Sequence, residues 1–154
     1  MPSRRRFLRL TAAASLAGAL AGCSTEPAPP RRAGPTPGRA VGLVIYPAFE
    51  NHMTPAGHPE RPQRLRSIAA AIDRQGLRDK TTPIAPRPAD EMALERCHTR
   101  DYLALAREQI ESGQMSLSTG DTAVSARSWE TAVLAAGGVM AAVDAVVGGK
   151  AAAA

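Results

Sequence analysis

Residues 57–65, GHPERPQRL, constrain the fold of this chain more than any other stretch, because they join a stiff loop to the start of a helix. Gly57 and Pro59 restrict the backbone, and Pro62 suits a first helical turn, where its missing N–H would lack a partner anyway. Apolar residues then recur at helical spacing, at Leu65, Ile68, Ala69 and Ile72. The segment predicts a loop followed by an amphipathic helix from about residue 62 to residue 74, an element that also serves as plain architecture in α/β domains.

The residues around this helix show strand patterns and further helix patterns. Residues 41–46, VGLVIY, form a short continuous apolar run that Pro47 ends, as is typical of a buried strand in a parallel sheet. Residues 81–84 predict an edge strand, since its proline limits pairing. Asp90 and Thr99 are predicted to cap two more helices, the second reaching about residue 112. This order of elements predicts an α/β fold.

The longest predicted helix follows a polar loop at residues 113–127. Ser128 is expected to cap it, and Glu130 and Asp144 bracket an apolar run too short for a membrane span. Its glycine and alanine content permits close approach of its backbone to a sheet. One stripe of this helix is predicted to face the core, namely Trp129, Val133, Ala136, Met140, Val143 and Val147.

The first 22 residues have the composition of an export signal. SRRRFLR at residues 3–9 precedes an uncharged run rich in Ala, Leu and Gly, and it resembles a twin-arginine signal, with a general secretory leader as the alternative. LAGC at residues 20–23 resembles a lipobox, in which Cys23 would carry the lipid; the alternative is an ordinary cleavage site. Residues 23–40, rich in Pro and Gly, predict an extended tether to a domain at residues 41–154. The expected location is therefore exported and membrane-anchored, on the periplasmic side or at the cell surface.

The basic charge of the chain belongs to this leader and tether. Seven Arg and one Glu precede Val41, so a total charge of +5 minus +6 leaves −1 for the remainder. A nucleic-acid partner therefore loses its main support. A disulfide between Cys23 and Cys97 is not expected, and Cys97, beside apolar helical sequence, is predicted to be a small buried residue.

Three stretches resemble, in the same order, signature elements of the histone deacetylase family, most closely its bacterial deacetylase-like and acetylpolyamine amidohydrolase branch. They are GHPERPQRL at residues 57–65, CHTRDYL at residues 97–103, and STGDTAVS at residues 118–125 continuing through SWE at residues 128–130. The resemblance extends from about residue 41 to residue 150. It implies the N-terminal part of an arginase/deacetylase-like parallel-sheet α/β fold, here incomplete.

Members of this family are zinc amidohydrolases, and the resemblance implies their chemistry for the full-length protein. In them a Zn²⁺ held by two Asp and one His activates a water that attacks an acetamide carbonyl, in acyl-lysine or acetylpolyamine-like amides. Those ligands belong with a Gly-His-His segment that is absent from residues 1–154, so no catalytic residue and no metal ligand is assigned here. We expect an N-terminal fragment of a deacetylase; the alternative is a non-catalytic lipoprotein remnant or binding module.

Asp121 is the one position to which the resemblance carries a functional role. In the family the corresponding Asp lies at the pocket rim and accepts hydrogen bonds from the substrate backbone, an orienting role that suits a carboxylate. The alternative is a turn residue after Gly120. His58 and Glu60 are assigned to loop architecture, and His98 to packing or to the beginning of a helix.

Overall fold

The computed structural model describes residues 40–154. The predicted leader, the lipobox with Cys23, and the tether up to residue 39 lie outside the described residues. The boundaries predicted for those segments are therefore still predictions.

Two short parallel strands form the sheet of the described part. β1 (Val41–Leu43) pairs with β2 (Thr81–Pro83), with Val41 opposite Thr81 and Leu43 opposite Pro83. Both strands are shorter than predicted, and a 3₁₀ helix (Pro47–Asn51) follows β1 after three further residues. Because the strands are parallel and helices connect them, the predicted α/β class is confirmed.

The other edge of β1 is occupied by the last described residues. The Gly42 amide donates to the Ala153 carbonyl at 2.7 Å, and the Ala152 amide donates to the Ala40 carbonyl at 3.1 Å. Val41 and Ala153 form a parallel bridge. Ala152 and Ala153 thus form an isolated bridge beside β1. The sequence did not reveal this placement, because four alanines carry no strand pattern.

The first three helices begin where the sequence predicted. α1 (Pro62–Arg74) starts at its proline and ends before Gly76, whose φ of 60° lies in the left-handed region. α2 (Glu91–Leu94) and α3 (Arg100–Glu111) are capped by Asp90 and Thr99, whose side chains accept from Ala93 N at 2.8 Å and Tyr102 N at 3.2 Å. Both predicted caps are confirmed. They could be predicted from sequence because a capping side chain and the backbone N–H that it accepts from lie within one turn of each other.

The longest helix, α4 (Ser128–Val147), differs from its prediction in two ways. Ser128 is its first helical residue and caps nothing, because its side chain bonds elsewhere. The predicted core stripe holds only for its first part: Trp129, Val133, Ala136 and Met140 are half-buried. Its last two residues are wrong, since Val143 and Val147 are 55% and 82% exposed. The face that is buried carries small residues, notably Thr131, Gly137, Gly138 and Ala145.

By length and composition alone, α4 is long and apolar enough to cross a membrane. The prediction that its apolar run is too short for a span is therefore not confirmed. Within the described residues, α4 packs on β1, α3 and the 3₁₀ helix after β1. A Cβ added to Gly138 would lie 3.2 Å from Val44 Cγ1 and 3.4 Å from Phe49 Cζ. α4 is therefore the element against which the described part of the chain assembles.

The buried core of the described residues is small. Its one cluster consists of Ala106 and Ile110 from α3 with Leu117 and Val124 from the following loop, and Tyr102 and Trp129 pack against it. No large side chain in residues 40–154 is less than 2% exposed. The packing around α3 and the loop after it is thus the best-buried region available to support a site.

Candidate functional site

Asp121 lies near the tip of a small hairpin rather than in an unstructured loop. Ser116 and Ala123 form an antiparallel bridge, Leu117 N donates to Thr122 O at 3.0 Å, and Val124 N donates to Met115 O at 2.9 Å. We call residues 115–124 the rim hairpin. Asp121 is exposed, and its carboxylate joins none of the ion pairs found within residues 40–154. A charged acceptor is therefore presented to solvent on an ordered turn.

Two apolar side chains hold the base of the rim hairpin. Leu117 and Val124 are 6% and 5% exposed and pack on Ala106 and Ile110 of α3. Burying such side chains contributes about 1.5–3 kcal/mol each relative to leaving them in water. The hairpin is thus attached to α3 by its two arms, while its tip projects away from the cluster.

A buried glutamine holds the hairpin on the side of its first arm. Gln109 is 8% exposed; its Oε1 accepts from Ser118 N at 2.9 Å and its Nε2 donates to Ser118 Oγ at 2.6 Å. Gln109 is one of the buried residues of α3, together with Ala106 and Ile110, and the sequence analysis assigned it no role. A polar residue on an otherwise apolar helix face was the available signal, because buried amides need partners.

The second arm continues into a polar cluster at the start of α4. Ser128 Oγ accepts from Ser125 N at 2.8 Å and lies 2.7 Å from His52 Nδ1, while Ser125 Oγ accepts from Met53 N at 3.1 Å. Ser128 is 5% exposed. These contacts tie the loop before α1 to the end of the rim hairpin, and they use one nitrogen of His52.

A cavity of about 280 Å³ lies between α3 and α4, next to the rim hairpin. Its lining is mostly apolar, with Tyr102, Ile110 and Trp129 among the larger side chains. The polar residues that reach it include Thr122, which follows Asp121 in the chain, and the His52–Ser128 pair. The region beside Asp121 can therefore accept apolar atoms.

The other two histidines serve local structure. His58 Nδ1 lies 3.1 Å from Glu60 N and 3.0 Å from Glu60 O, and Glu60 pairs with Arg64 one turn into α1. The His98 ring lies 5.3 Å from the ring of Tyr102, at the start of α3. These contacts agree with the architectural roles predicted for His58, Glu60 and His98. Cys97, predicted to be buried, is exposed and free, because the turn after α2 faces solvent.

The described residues do not fit a zinc site. Within residues 40–154 no group of three His, Cys, Asp or Glu side chains comes close enough to share a metal ion. His52, His58 and His98 each contact a different partner, Ser128, Glu60 and Tyr102 respectively. A tetrahedral zinc site needs at least three protein ligands around one point, so no chemical step is assigned through a metal held by these residues.

Comparison with known proteins places this arrangement in a family. The family described as "Histone deacetylase domain" matches residues 58–154, which include α1, α3, the rim hairpin and α4. A solved structure, "Crystal Structure of HDA15 HD domain", superposes with a TM-score of 0.64 at 28% sequence identity, over 72% of this chain and 33% of that chain. The likeness therefore extends from sequence to fold.

Curated proteins of the same family are also similar to the chain. The "Histone deacetylase-like amidohydrolase" of Pseudomonas aeruginosa is 34% identical over 96 residues, which is 62% of this chain and 25% of that protein. "Histone deacetylase 5" of Arabidopsis thaliana is 27% identical over 120 residues, or 73% of this chain and 18% of that protein. The chain thus spans a quarter or less of these two relatives.

Proposed function

The chain belongs to the histone deacetylase family, and from this premise we propose that it forms the N-terminal, substrate-binding portion of a deacetylase-like amidohydrolase. The substrate class is an acetylated amine on a longer molecule, either acyl-lysine or an acetylpolyamine-like amide. Within this portion, Asp121 on the rim hairpin orients the substrate. The α/β fold, similar to a solved deacetylase domain, supports the proposal.

One observation carries the proposal: an exposed carboxylate stands on a hairpin whose two arms are buried against α3. A carboxylate accepts hydrogen bonds from the amide N–H groups of a bound chain, and such charge-assisted bonds are about twice as strong as neutral ones. An acceptor on an ordered turn orients the substrate without taking part in bond cleavage. The apolar cavity beside Thr122 gives apolar substrate atoms a place close to this acceptor.

The part of the fold described here binds and orients; it holds no metal in this proposal. The family is generally zinc-dependent, and zinc would supply a Lewis acid and an activated water to the amide carbonyl. Residues 40–154 bring no three ligand side chains together, so the proposal assigns them no proton transfer and no metal ligand. The expected contribution of this portion is substrate affinity.

We also propose that the protein is exported and anchored to a membrane through lipid on Cys23. The arginine-rich start, the short apolar run and LAGC at residues 20–23 support this location. Several acyl chains on one terminus hold a protein stably on a membrane, whereas one chain binds marginally. The Pro-rich tether would then separate the folded part from the lipid surface.

Binding of a fluorescent peptide with one acetylated lysine tests the substrate-binding role. Asp121→Ala in the full chain is expected to weaken binding about tenfold, and the exposed Asp79→Ala is the matched control. Equal binding by wild type and Asp121→Ala would overturn the role of Asp121. Zinc analysis and an acetyl-release assay on the same samples are expected to show neither stoichiometric metal nor turnover.

Sequencing of the transcript distinguishes the deacetylase proposal from the alternative, a non-catalytic lipoprotein or binding module. Sequencing across codon 154 is expected to reveal a continuation that encodes the Gly-His-His segment of the family. A transcript without it, from a gene whose product is stable in cells, would favour the binding module. The peptide-binding measurement stands in either case.

A further inference from the structure

The rim hairpin has a polar attachment that its apolar packing does not require. From it we infer that Gln109 is a positioning residue, which sets the place of the Asp121 carboxylate through Ser118. The inference rests on the proposed role of Asp121 in substrate binding. The orienting role of Asp121 then depends on a second residue, Gln109, which lies on α3, the helix that directly precedes the rim hairpin.

The geometry of the Gln109–Ser118 contact fixes more than a distance. The amide oxygen of Gln109 accepts from the Ser118 backbone at 2.9 Å, and its amide nitrogen donates to the Ser118 hydroxyl at 2.6 Å. Two bonds from one planar group to two atoms of one residue restrict both translation and rotation of that residue. Ser118 is three positions before Asp121, so its orientation determines how the tip leaves the first arm.

The tip of the hairpin has little packing of its own. A Cβ added at Gly120 would meet no atom within 4 Å, and Gly120 N donates to Leu117 O over a long 3.5 Å. Leu117 and Val124 hold only the base, where they are buried. Of the side-chain hydrogen bonds within residues 40–154, the Gln109–Ser118 pair is the one nearest in sequence to Asp121.

Burial makes this attachment sensitive to substitution. Gln109 is 8% exposed, so water replaces its lost hydrogen-bond partners poorly. Gln109→Met keeps the length of the side chain and removes both bonds. Gln109→Glu keeps two oxygens, one for the Ser118 amide and one for the Ser118 hydroxyl, whose proton can turn toward it. Gln114→Met is the matched control, because Gln114 is exposed and lies on the same segment.

A double-mutant cycle on peptide binding tests the inference in the full chain. Gln109→Met is expected to weaken binding of the acetyl-lysine peptide about tenfold when Asp121 is present, and by less than about twofold in the Asp121→Ala background. Gln109→Glu should bind within about threefold of wild type, and Gln114→Met should equal wild type. A residue that only supports the fold would weaken binding equally in both backgrounds.

Two outcomes would overturn the inference and are distinct from failure of the proposed function. One is an equal loss in both backgrounds; the other is no loss in Gln109→Met while Asp121→Ala does weaken binding. If Asp121→Ala itself has no effect, the proposed function fails first, and the inference falls with it. Should Gln109→Met not fold, Ser118→Ala, which removes one of the two bonds, takes its place and is expected to weaken binding about threefold with the same dependence on Asp121.

Discussion

Gly137 of α4 lies directly against the backbone of Arg87, on the segment that leads from β2 to α2. A Cβ on Gly137 would come within 2.7 Å of Ala89 N and would overlap the Arg87 carbonyl. In the same place Ala89 N donates to Val133 O at 3.0 Å, so the segment bonds to the helix as well as touching it. Only a residue without a side chain allows this contact.

Gly137→Ala is therefore expected to destabilise the fold by about 2–4 kcal/mol, since two backbone segments would have to separate. So small a core leaves little stability to lose, and we expect the variant to be largely unfolded. Emission of the single Trp129 and urea denaturation measure this. Gly120→Ala, with no atom within 4 Å of the added methyl, is the control and should resemble wild type. Wild-type stability in Gly137→Ala would contradict the packing described for α4.

Ser128→Ala is expected to loosen the connection between the rim hairpin and the loop before α1. The substitution leaves Ser125 N and the His52 ring, both half-buried, without their partner, which costs about 1 kcal/mol. Amide hydrogen exchange should accelerate at Ser125 and Met53 before it does so in α3. Ser116→Ala, at an exposed serine of the hairpin, should leave both amides unchanged. Unchanged protection in Ser128→Ala would mean that the polar cluster contributes nothing to the hairpin.

The stability contributed by the Asp73–Arg78 ion pair at the end of α1 is expected to depend on pH. The hydrogen bond from Arg78, with Nε–Oδ1 at 2.5 Å, lowers the pKa of Asp73; desolvation opposes this effect, and the charge of Arg78 adds a lesser lowering. Because the pKa of Asp73 is lower in the folded state, the ionised pair stabilises the fold at pH values above the ordinary aspartate pKa near 3.9. This stabilisation is lost as the pH falls through the pKa of the folded state. An NMR titration of the Asp73 carboxyl should give a midpoint below that value. Arg78→Ala should raise the midpoint, and an unchanged midpoint would contradict the pairing.

Lipid attachment is expected to depend on Cys23. Metabolic labelling with a radioactive fatty acid should mark the wild type but not Cys23→Ala, because the sulfur carries the lipid. Cys97→Ala is the matched control and should still be labelled. Label that persists in Cys23→Ala would contradict the lipoprotein proposal.

The export route is tested by the double substitution Arg4→Lys with Arg5→Lys. It should block export on the twin-arginine route, whereas unchanged export would indicate the general secretory route.

The sequence alone determined the features that depend on contacts within a few residues. The bounds of α1, the caps Asp90 and Thr99, and the class of the fold followed from proline placement, capping side chains and apolar periodicity. Motif resemblance also predicted the family that the comparisons showed. Each of these signals is local, or is carried by residue identity alone.

Tertiary structure decided which surfaces are used. The buried face of α4 is its small-residue face, because a neighbouring backbone occupies the space beside Gly137 and no side chain could enter it. Ser128 bonds to His52, 76 positions away, rather than capping its helix, and Gln109 becomes an attachment because the chain returns Ser118 to it. Ala152 and Ala153 bridge to β1 because that strand's other edge offers them free backbone groups. Each of these contacts depends on residues that are distant in sequence. The hydrophobic pattern along a single segment therefore does not predict them.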